Sequence, residues 1–465
     1  MATPCAAGAL FDADHDGDLD LFVTGPSGNE LLSNNRDGSF RQLAAEMGLS
    51  GHAGRQVLVA DLDTDRDLDI LVVNVEPPND LWQNDRTWQY EPFPGLDDLR
   101  DASLLAVTAA DTDADGHVEI YAVTGTGDLA VWRRDGSVWQ HQILLQAASA
   151  GASAELSIAD FDGDGRPEIL LTSRTGFALI DPQSGEVLLD QAVEEITSAI
   201  ALPLDPGSGP AVVTLGAMGL QLWPAGPGRH PFLALEPSGR SQAEQMRSNA
   251  SGIGTRIKVR TAGRWTLLDA LDPHSGPGQS LAPLSVGLGG HARADFVALE
   301  WSDGVSQTEI DLEAGQLHQI AETQRQLASC PVVFTWDGRS YRFISDVLGV
   351  GGLGFFDSPG VFAPPRPFEG YLIDATLLRE RDGRYHIKVT EPMEENAYID
   401  AVRIHVYDLP TDWMMVLDER MEITGPPVSG RAITYRRSRD PVRATGREGD
   451  EVTGLILTAD HIAPP

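Results

Sequence analysis

Four short acidic segments within the first 170 residues carry the residue types and the spacing of a metal site. Each segment places carboxylates at positions 1, 3 and 5 and again at position 9. Carboxylates at this density repel one another in water, whereas Ca²⁺ takes about six to eight oxygen ligands from carboxylates, carbonyls and water. The segments, called the first to fourth acidic loops below, therefore predict calcium binding. The candidate ligands are Asp12, Asp14, Asp16, Asp18 and Asp20 in the first loop, Asp61, Asp63, Asp65, Asp67 and Asp69 in the second, Asp111, Asp113, Asp115, His117 and Glu119 in the third, and Asp160, Asp162, Asp164, Arg166 and Glu168 in the fourth.

The positions within a loop have different expected roles. The carboxylate at position 9 is expected to complete the set of metal ligands. Position 7 is expected to bind through its backbone carbonyl, so His117 and Arg166 are acceptable there whatever their side chains. Position 6 normally takes a sharp bend that suits Gly. The second loop has Arg66 there, whereas the other three have Gly. We therefore expect the second loop to bind calcium more weakly than the others.

An EF-hand is the main alternative for an acidic segment of this kind. An EF-hand requires a bidentate Glu at position 12 and a helix on each side of the loop. Position 12 is apolar in all four loops, where it is Val23, Val72, Ala122 and Leu171. Solvated turns are the other alternative, since Asp and Gly favour turns. Four copies in one frame argue against that alternative.

Short apolar runs flank the loops and predict the elements that position them. Residues 57–60 (VLVA) precede the second loop, and residues 169–171 (ILL) follow the fourth. Runs of this length, rich in β-branched residues and bounded by turn residues, are typical of strands. The loops begin at residues 12, 61, 111 and 160, so one supersecondary unit recurs about every 50 residues.

The unit of strand, DxDxDGxxD loop and strand resembles the FG-GAP or VCBS repeat of integrin α-chain propellers and bacterial surface proteins. Residues 29–40 (NELLSNNRDGSF) and 45–49 (AEMGL) are similar to the text that follows such loops in cartilage-acidic-protein-like chains. Residues 248–259 (SNASGIGTRIKV) resemble the opening of an ASPIC/UnbV domain. Residues 286–290 (VGLGG) and 297–304 (VALEWSDG) resemble its close.

This resemblance implies an all-β chain built of FG-GAP-type β-propeller blades followed by further β-domains. We expect four loop-bearing blades and a degenerate, metal-free fifth unit near 201–223 within residues 1–230. A sandwich-like ASPIC/UnbV domain follows over 231–322, in which the 252–254 and 287–289 segments should lie close together. A β-rich region covers 328–465, with Asp-Gly hairpins at 334–343 and 378–387. Short helical pieces are expected only near 241–248 and 311–326.

The number of blades does not decide whether they close into a ring. About 230 residues at this spacing make just under five blades, whereas the resembled propellers usually have seven. The blades could form a small closed ring, an arc that the later domains complete, or part of a larger ring.

Composition excludes several classes of partner. The formal net charge is −35, and such a surface lacks the Lys/Arg patches that nucleic acid requires. It disfavours anionic membrane surfaces equally, and no apolar stretch is long enough to insert into a membrane. The first residues do not form a secretory signal, although the resemblance implies an extracellular, cell-surface or periplasmic protein. We therefore expect the chain to be a fragment of a larger exported protein.

Motifs for catalysis are missing or unconvincing. Residues 349–354 match GxGxxG in letters, but the FFDSPG that follows cannot open the helix that a dinucleotide site needs. Neither HExxH nor GxSxG occurs. Two unpaired thiols at Cys5 and Cys330 are favoured over a disulfide. The sequence thus predicts a non-enzymatic protein.

The function favoured by these observations is calcium-dependent binding of a protein or carbohydrate partner, whose identity stays open, as does the oligomeric state. Two alternatives remain. The chain could be the scaffold of a larger exported enzyme whose catalytic domain lies outside it, or an accessory protein of a biosynthetic or assembly pathway.

Overall fold

The apolar runs on both sides of each acidic loop form antiparallel strands in the computed structural model. The two helices found among the described residues, α1 (Asp97–Arg100) and α2 (Thr453–Ile456), have four residues each. The chain divides into two compact units, Met1–Leu327 and Ala328–Pro465. The structure describes residues 4–84, 89–136, 138–147, 154–240, 248–271, 273–276, 278–302, 304–323, 331–347, 356–358, 360–362, 366–390, 398–419, 428–446 and 449–457.

Five antiparallel sheets follow one another in the first unit, and in each sheet every strand pairs with the next one along the chain. These are the blades of a β-propeller fold. They are β1 (Ala7–Phe11), β2 (Asp20–Gly25), β3 (Gly28–Asn34) and β4 (Phe40–Gln42); β5 (Gly54–Ala60), β6 (Asp69–Asn74), β7 (Asp80–Asn84) and β8 (Tyr90–Pro92); β9 (Leu104–Ala110), β10 (Glu119–Thr124), β11 (Leu129–Asp135) and β12 (Val138–Leu145); β13 (Ala154–Ala159), β14 (Glu168–Ser173), β15 (Gly176–Ile180) and β16 (Val187–Ala192); and β17 (Ile196–Pro203), β18 (Pro210–Gly216) and β19 (Gly219–Trp223).

Each acidic loop joins the first two strands of its blade, as the sequence predicts. The first pair of strands is held in register from Ala7 opposite Thr24 to Phe11 opposite Asp20, so the loop leaves the sheet where the ladder ends. The other three loops leave their blades at the equivalent point. The repeat therefore places all four acidic loops at the same end of their strands.

Apolar clusters between successive blades form the core. Phe11 and Phe22 of the first blade pack with Ile70 and Val72 of the second. Equivalent clusters join the second blade to the third, the third to the fourth and the fourth to the fifth. A strand buried on both faces needs a continuous apolar run rather than alternation, and β6 is buried along its whole length. This burial explains why the inner strands appear in the sequence as unbroken apolar runs.

A buried glutamine ties the second blade to the third. The Gln56 side chain donates to the Val107 carbonyl and accepts from the Val107 N–H, and Gln56 is 4 % exposed. A buried backbone group without its partner costs about 1–3 kcal/mol. We expect Gln56→Leu to lower the free energy of unfolding by roughly 2–4 kcal/mol, because two such groups lose their partner.

Chemical denaturation measures this effect. Gln140→Leu, which replaces an exposed glutamine on β12, is the matched control and should unfold like the wild type. Equal stability of the two variants would show that Gln56 contributes little to the packing of the blades.

A two-sheet module follows the blades within the same unit. Apolar residues from both sheets, among them Leu235, Ile257 and Val297, form one core, so the module is a β-sandwich. Its first sheet has the order β23 (Leu284–Gly287), β20 (Phe232–Ser238) and β26 (Leu317–Ala321), with β20 and β26 parallel; its second has the order β22 (Arg264–Asp269), β21 (Arg256–Thr261), β24 (Arg293–Glu300) and β25 (Ser306–Glu313).

Two expectations for this module are wrong. Residues 311–323 form the end of β25, a turn and β26 rather than a helix, because both strands find sheet partners. Of the 241–248 segment, only Ser248 is described. The two glycine segments also lie apart, since Gly252 packs against Pro237 at one end of β20 whereas Gly287 pairs with Phe232 at the other end.

The second unit contains small antiparallel sheets. Arg381 pairs with Arg384 around the expected two-residue Asp-Gly turn. The other hairpin differs, because Trp336 pairs with Tyr341 across four residues whose backbone is held by the Asp337 side chain. The GxGxxG segment and Cys330 lie outside the described residues. The strands are β27 (Val332–Trp336), β28 (Tyr341–Asp346), β29 (Phe356–Ser358), β30 (Val361–Phe362), β31 (Glu380–Arg381), β32 (Arg384–Tyr385), β33 (Ile387–Thr390), β34 (Met414–Leu417) and β35 (Ala432–Tyr435).

Candidate metal centre

The backbone of the four acidic loops follows one pattern. Position 4 and position 6 both have positive φ in every loop. Position 6 is Gly in three loops, where this conformation is unstrained. The second loop holds Arg66 there at φ 79°, a conformation that costs a residue with a side chain of order 1 kcal/mol. The second loop therefore has backbone strain at the position where the sequence predicts weaker calcium binding.

Hydrogen bonds from the loop's own backbone aim the carboxylates inwards. The position 1 carboxylate accepts the N–H of position 6, as from Gly165 to Asp160 at 2.8 Å. The position 9 carboxylate accepts the N–H of position 2, as from Phe161 to Glu168 at 2.7 Å. Both bonds recur in the other three loops. The carboxylate at position 9 thus links the end of each loop to its beginning through a hydrogen bond.

The fold brings carboxylate oxygens together in each loop, within 4.8 Å of one another. The fourth loop gathers the complete set from positions 1, 3, 5 and 9, whereas each of the other loops gathers three carboxylates. The clusters are Asp160, Asp162, Asp164 and Glu168; Asp12, Asp14 and Asp20; Asp61, Asp63 and Asp69; and Asp111, Asp113 and Asp115.

The remaining predicted ligands lie in the same loops but outside these clusters. Asp16 and Asp18 form ion pairs with Arg36, and Glu119 accepts hydrogen bonds from Thr112. The others form backbone or cross-loop contacts: Asp65 accepts the Asp67 N–H, Asp67 lies 2.9 Å from His15, and His117 and Arg166 donate their backbone N–H to Asp115 and Asp164.

Burial makes these carboxylates costly without a counter-charge. Desolvation is the largest cause of a raised pKa at position 1 of each loop, to about 7 for Asp12, Asp61 and Asp160 and to about 6 for Asp111. It also raises the pKa of Glu168 to about 8. Buried carboxylates are neutralised either by protons, which the raised pKa favours, or by a bound cation, which keeps them ionised.

Unpartnered oxygens show that a hard cation fits the loops. Asp14 Oδ1, Asp18 Oδ1 and Asp61 Oδ1 are buried and accept no hydrogen bond within the described part of the chain. Such atoms are rare unless a ligand satisfies them. An all-oxygen donor set with carboxylates on alternate residues suits Ca²⁺. The residues present are therefore compatible with the calcium ions that the sequence predicts.

The sandwich module reaches the fourth loop through several hydrogen bonds. Gly287 N–H donates to Asp160 Oδ2 at 3.1 Å and Thr266 Oγ1 donates to the Gly165 carbonyl at 2.8 Å. Two backbone bonds add to them, from His230 N–H to the Asp162 carbonyl and from Gly289 N–H to the Gly163 carbonyl, both at 2.8 Å. These contacts are not predictable from the sequence, because no motif shows which distant strand will contact a loop.

The module also reaches the second and third loops through one cation. Arg256 lies 3.7 Å from Asp61 Oδ2 and donates to the Gly116 carbonyl at 3.0 Å. It is also 3.8 Å from Asp269 of β22. The sandwich module therefore contacts three of the four acidic loops at the ends of the blades that carry them.

Comparisons with known proteins agree with this architecture. The model of the FG-GAP-like repeat matches residues 12–72 and 111–171. The model of ASPIC and UnbV matches residues 245–327, which include most of the sandwich module. No curated protein sequence matches the chain. No described helix is long and apolar enough to cross a membrane.

Solved structures show only distant likeness. An Agrocybe aegerita lectin that recognises non-reducing terminal N-acetylglucosamine is 15 % identical over 66 % of this chain and 81 % of its own, with a TM-score of 0.35. The BP39L lectin of Burkholderia pseudomallei is 14 % identical over 67 % and 97 %, with a TM-score of 0.38. The biofilm matrix protein Bap1 of V. cholerae is 14 % identical over 65 % and 58 %, with a TM-score of 0.31. Likeness of this size says nothing about what this chain binds. The two family models and the blades together identify the chain as an FG-GAP repeat protein that carries an ASPIC/UnbV domain.

Proposed function

We propose that this chain is a calcium-stabilised β-propeller that binds a protein or carbohydrate partner outside the cell. The observation that carries the proposal is the fourth acidic loop, where four carboxylates converge within 4.8 Å. Extracellular modules bind Ca²⁺ with dissociation constants of about 10⁻⁴–10⁻³ M. Calcium at that concentration would keep the loops folded and the blades in register.

The proposed role is binding rather than catalysis. The converging aspartates, which could otherwise serve as an acid–base pair, are accounted for as calcium ligands. Their oxygens accept backbone N–H groups or would be taken up by a bound calcium ion, which would leave them poorly placed to exchange protons with a substrate.

The contacts of the ASPIC/UnbV module suggest which end of the blades meets the partner. The module contacts the loop-bearing ends. At the opposite ends, the turns between the second and third strands of the second and fifth blades present apolar side chains to solvent. Val75 is 50 % exposed and Met218 is 80 % exposed. We assign partner binding to these turns, since recognition is commonly carried by loops on a rigid scaffold.

A glycan array and an array of extracellular proteins, each probed with and without 2 mM Ca²⁺ (about the upper range of such sites), test the proposal. We expect binding that a chelator abolishes. Val75→Asp combined with Met218→Asp should weaken it by tenfold or more (about 1.4 kcal/mol), because the double variant places two charges in the contact.

Val138→Asp is the matched control, since Val138 is 60 % exposed on the outermost strand of the third blade. It should bind like the wild type. Binding that persists in chelator, or that only the control variant loses, would contradict the proposal.

A further inference from the structure

Arg256 occupies an unusual position for a cation in this acidic protein. It is the first residue of β21 in the ASPIC/UnbV module, and its side chain is 14 % exposed. Its guanidinium lies between the second and third acidic loops, 3.7 Å from Asp61 Oδ2 and 3.0 Å from the Gly116 carbonyl. A fixed positive charge from a distant part of the chain is therefore built into the metal-loop region.

The second loop retains what a calcium site needs beside this arginine. Asp61, Asp63 and Asp69 converge within 4.8 Å, and Asp61 is 7 % exposed. Its two oxygens differ, because Oδ2 accepts the Arg66 N–H and faces Arg256, whereas Oδ1 is buried without a hydrogen-bond partner among the described residues. An ion bound at Oδ1 would share one carboxylate with the guanidinium.

We propose that Arg256 is a built-in competing cation that lowers the calcium affinity of the second acidic loop. The inference rests on the proposed calcium binding and names its regulation. A unit charge and a divalent ion about 6 Å apart repel each other enough, even in a water-like dielectric, to weaken binding about tenfold.

The ASPIC/UnbV module contacts the fourth loop through different groups. There the hydrogen bonds come from two glycine N–H groups, the His230 N–H and the Thr266 hydroxyl, and the Arg264 guanidinium lies beside the backbone of Gly165. Arg256 meets the third loop only through a neutral carbonyl. The electrostatic penalty from Arg256 therefore falls on the second loop more than on the third.

Linkage makes the effect reciprocal. If Arg256 weakens calcium at the second loop, then calcium there weakens the hold of Arg256 on the loop by the same factor. Filling the second loop therefore loosens one contact of the ASPIC/UnbV module, whereas filling the fourth loop does not.

Calorimetric titration of the full chain with Ca²⁺ tests the inference. Arg256→Gln should strengthen the weakest site about tenfold, and adding Asp63→Ala should abolish that gain, which assigns it to the second loop. Arg260→Gln, which removes an exposed arginine from the same strand, is the matched control for net charge and should leave every site unchanged.

A further variant controls for the loss of the contact between Arg256 and Asp269, which could by itself destabilise the fold. Because Arg256→Gln removes a nearby cation from Asp269, Arg256→Gln with Asp269→Asn restores the wild-type net charge. This double variant should still bind more tightly than the wild type, but by less than Arg256→Gln alone, because Asp269 also acts electrostatically on Asp61. An unchanged weakest site in a folded variant would overturn the role of Arg256. Absence of calcium binding in the wild type would instead overturn the proposed function.

Discussion

Adding 1 mM Ca²⁺ to chelator-treated protein should raise its Tm by about 5–10 °C. An ion that binds only the folded state stabilises it by mass action, about 1.4 kcal/mol per site at ten times the dissociation constant. Three well-formed loops would add about 4 kcal/mol, and each kcal/mol shifts the Tm of a large domain by about 2 °C. A chelator should reverse the rise, which differential scanning calorimetry measures directly.

Replacing two ligands of the fourth loop should remove a defined part of this effect. Asp162→Ala with Asp164→Ala deletes half of the carboxylates in the most complete cluster. We expect the calorimetric titration to lose one ion per chain and the Tm rise to shrink by about a third, since one of three strong sites is gone.

The control alters equally charged residues outside the loops. Asp190→Ala with Glu194→Ala removes two exposed carboxylates of the fourth blade region and should keep the full rise. Mg²⁺ should raise the Tm less than Ca²⁺, because it requires a tighter octahedral shell and loses its water reluctantly. A Tm that does not change with millimolar Ca²⁺ would contradict the proposal that this protein binds calcium.

A single methyl group should break the contact between the ASPIC/UnbV module and the fourth loop. A Cβ on residue 287 would overlap both Asp160 Oδ2 and the backbone of Gly163. Overpacking of a tight contact costs about 1–3 kcal/mol. Gly287→Ala should lower the free energy of unfolding by about 3 kcal/mol and weaken calcium binding at the fourth loop, because the displaced Asp160 is a ligand.

Denaturation and calcium titration of the same variant measure the two effects. Gly226→Ala is the matched control, since no atom lies within 4 Å of the Cβ it would add. It should match the wild type in both measurements. If Gly287→Ala lost stability but kept its fourth site unchanged, the contact would support folding without positioning the ligand.

The local chemistry of the loops follows from the sequence. Carboxylates on alternate residues, Gly at position 6 and apolar runs on both sides specify a turn between two strands, whatever surrounds it. Arg66 marks the exception, because a residue with a side chain is strained at positive φ. These features depend on residues that are close together along the chain, so they can be recognised from the sequence.

Turn length and helix content were harder to predict. Asp337-Gly338 suggests a two-residue turn, yet the Asp337 carboxylate holds the N–H groups of Arg339 and Ser340 and thereby stabilises a four-residue turn. Residues 311–323 lack strong β patterning, and they become strands because β24 and β20 offer them hydrogen-bonding edges. Local preference is weak where a sheet partner supplies the free energy.

By itself, the sequence determined the repeated blade, the position of each acidic loop within it and the ligands that the loop offers. Arg66 already distinguishes the second loop in the sequence, but only the tertiary structure decided which distant groups contact each loop, because these groups lie more than a hundred residues away along the chain. Arg256 brings a cation to Asp61 and Gly287 brings a neutral N–H to Asp160. Repetition along the chain makes the loops alike, whereas the single ASPIC/UnbV module contacts the second and fourth loops with different residues and so makes these two unequal.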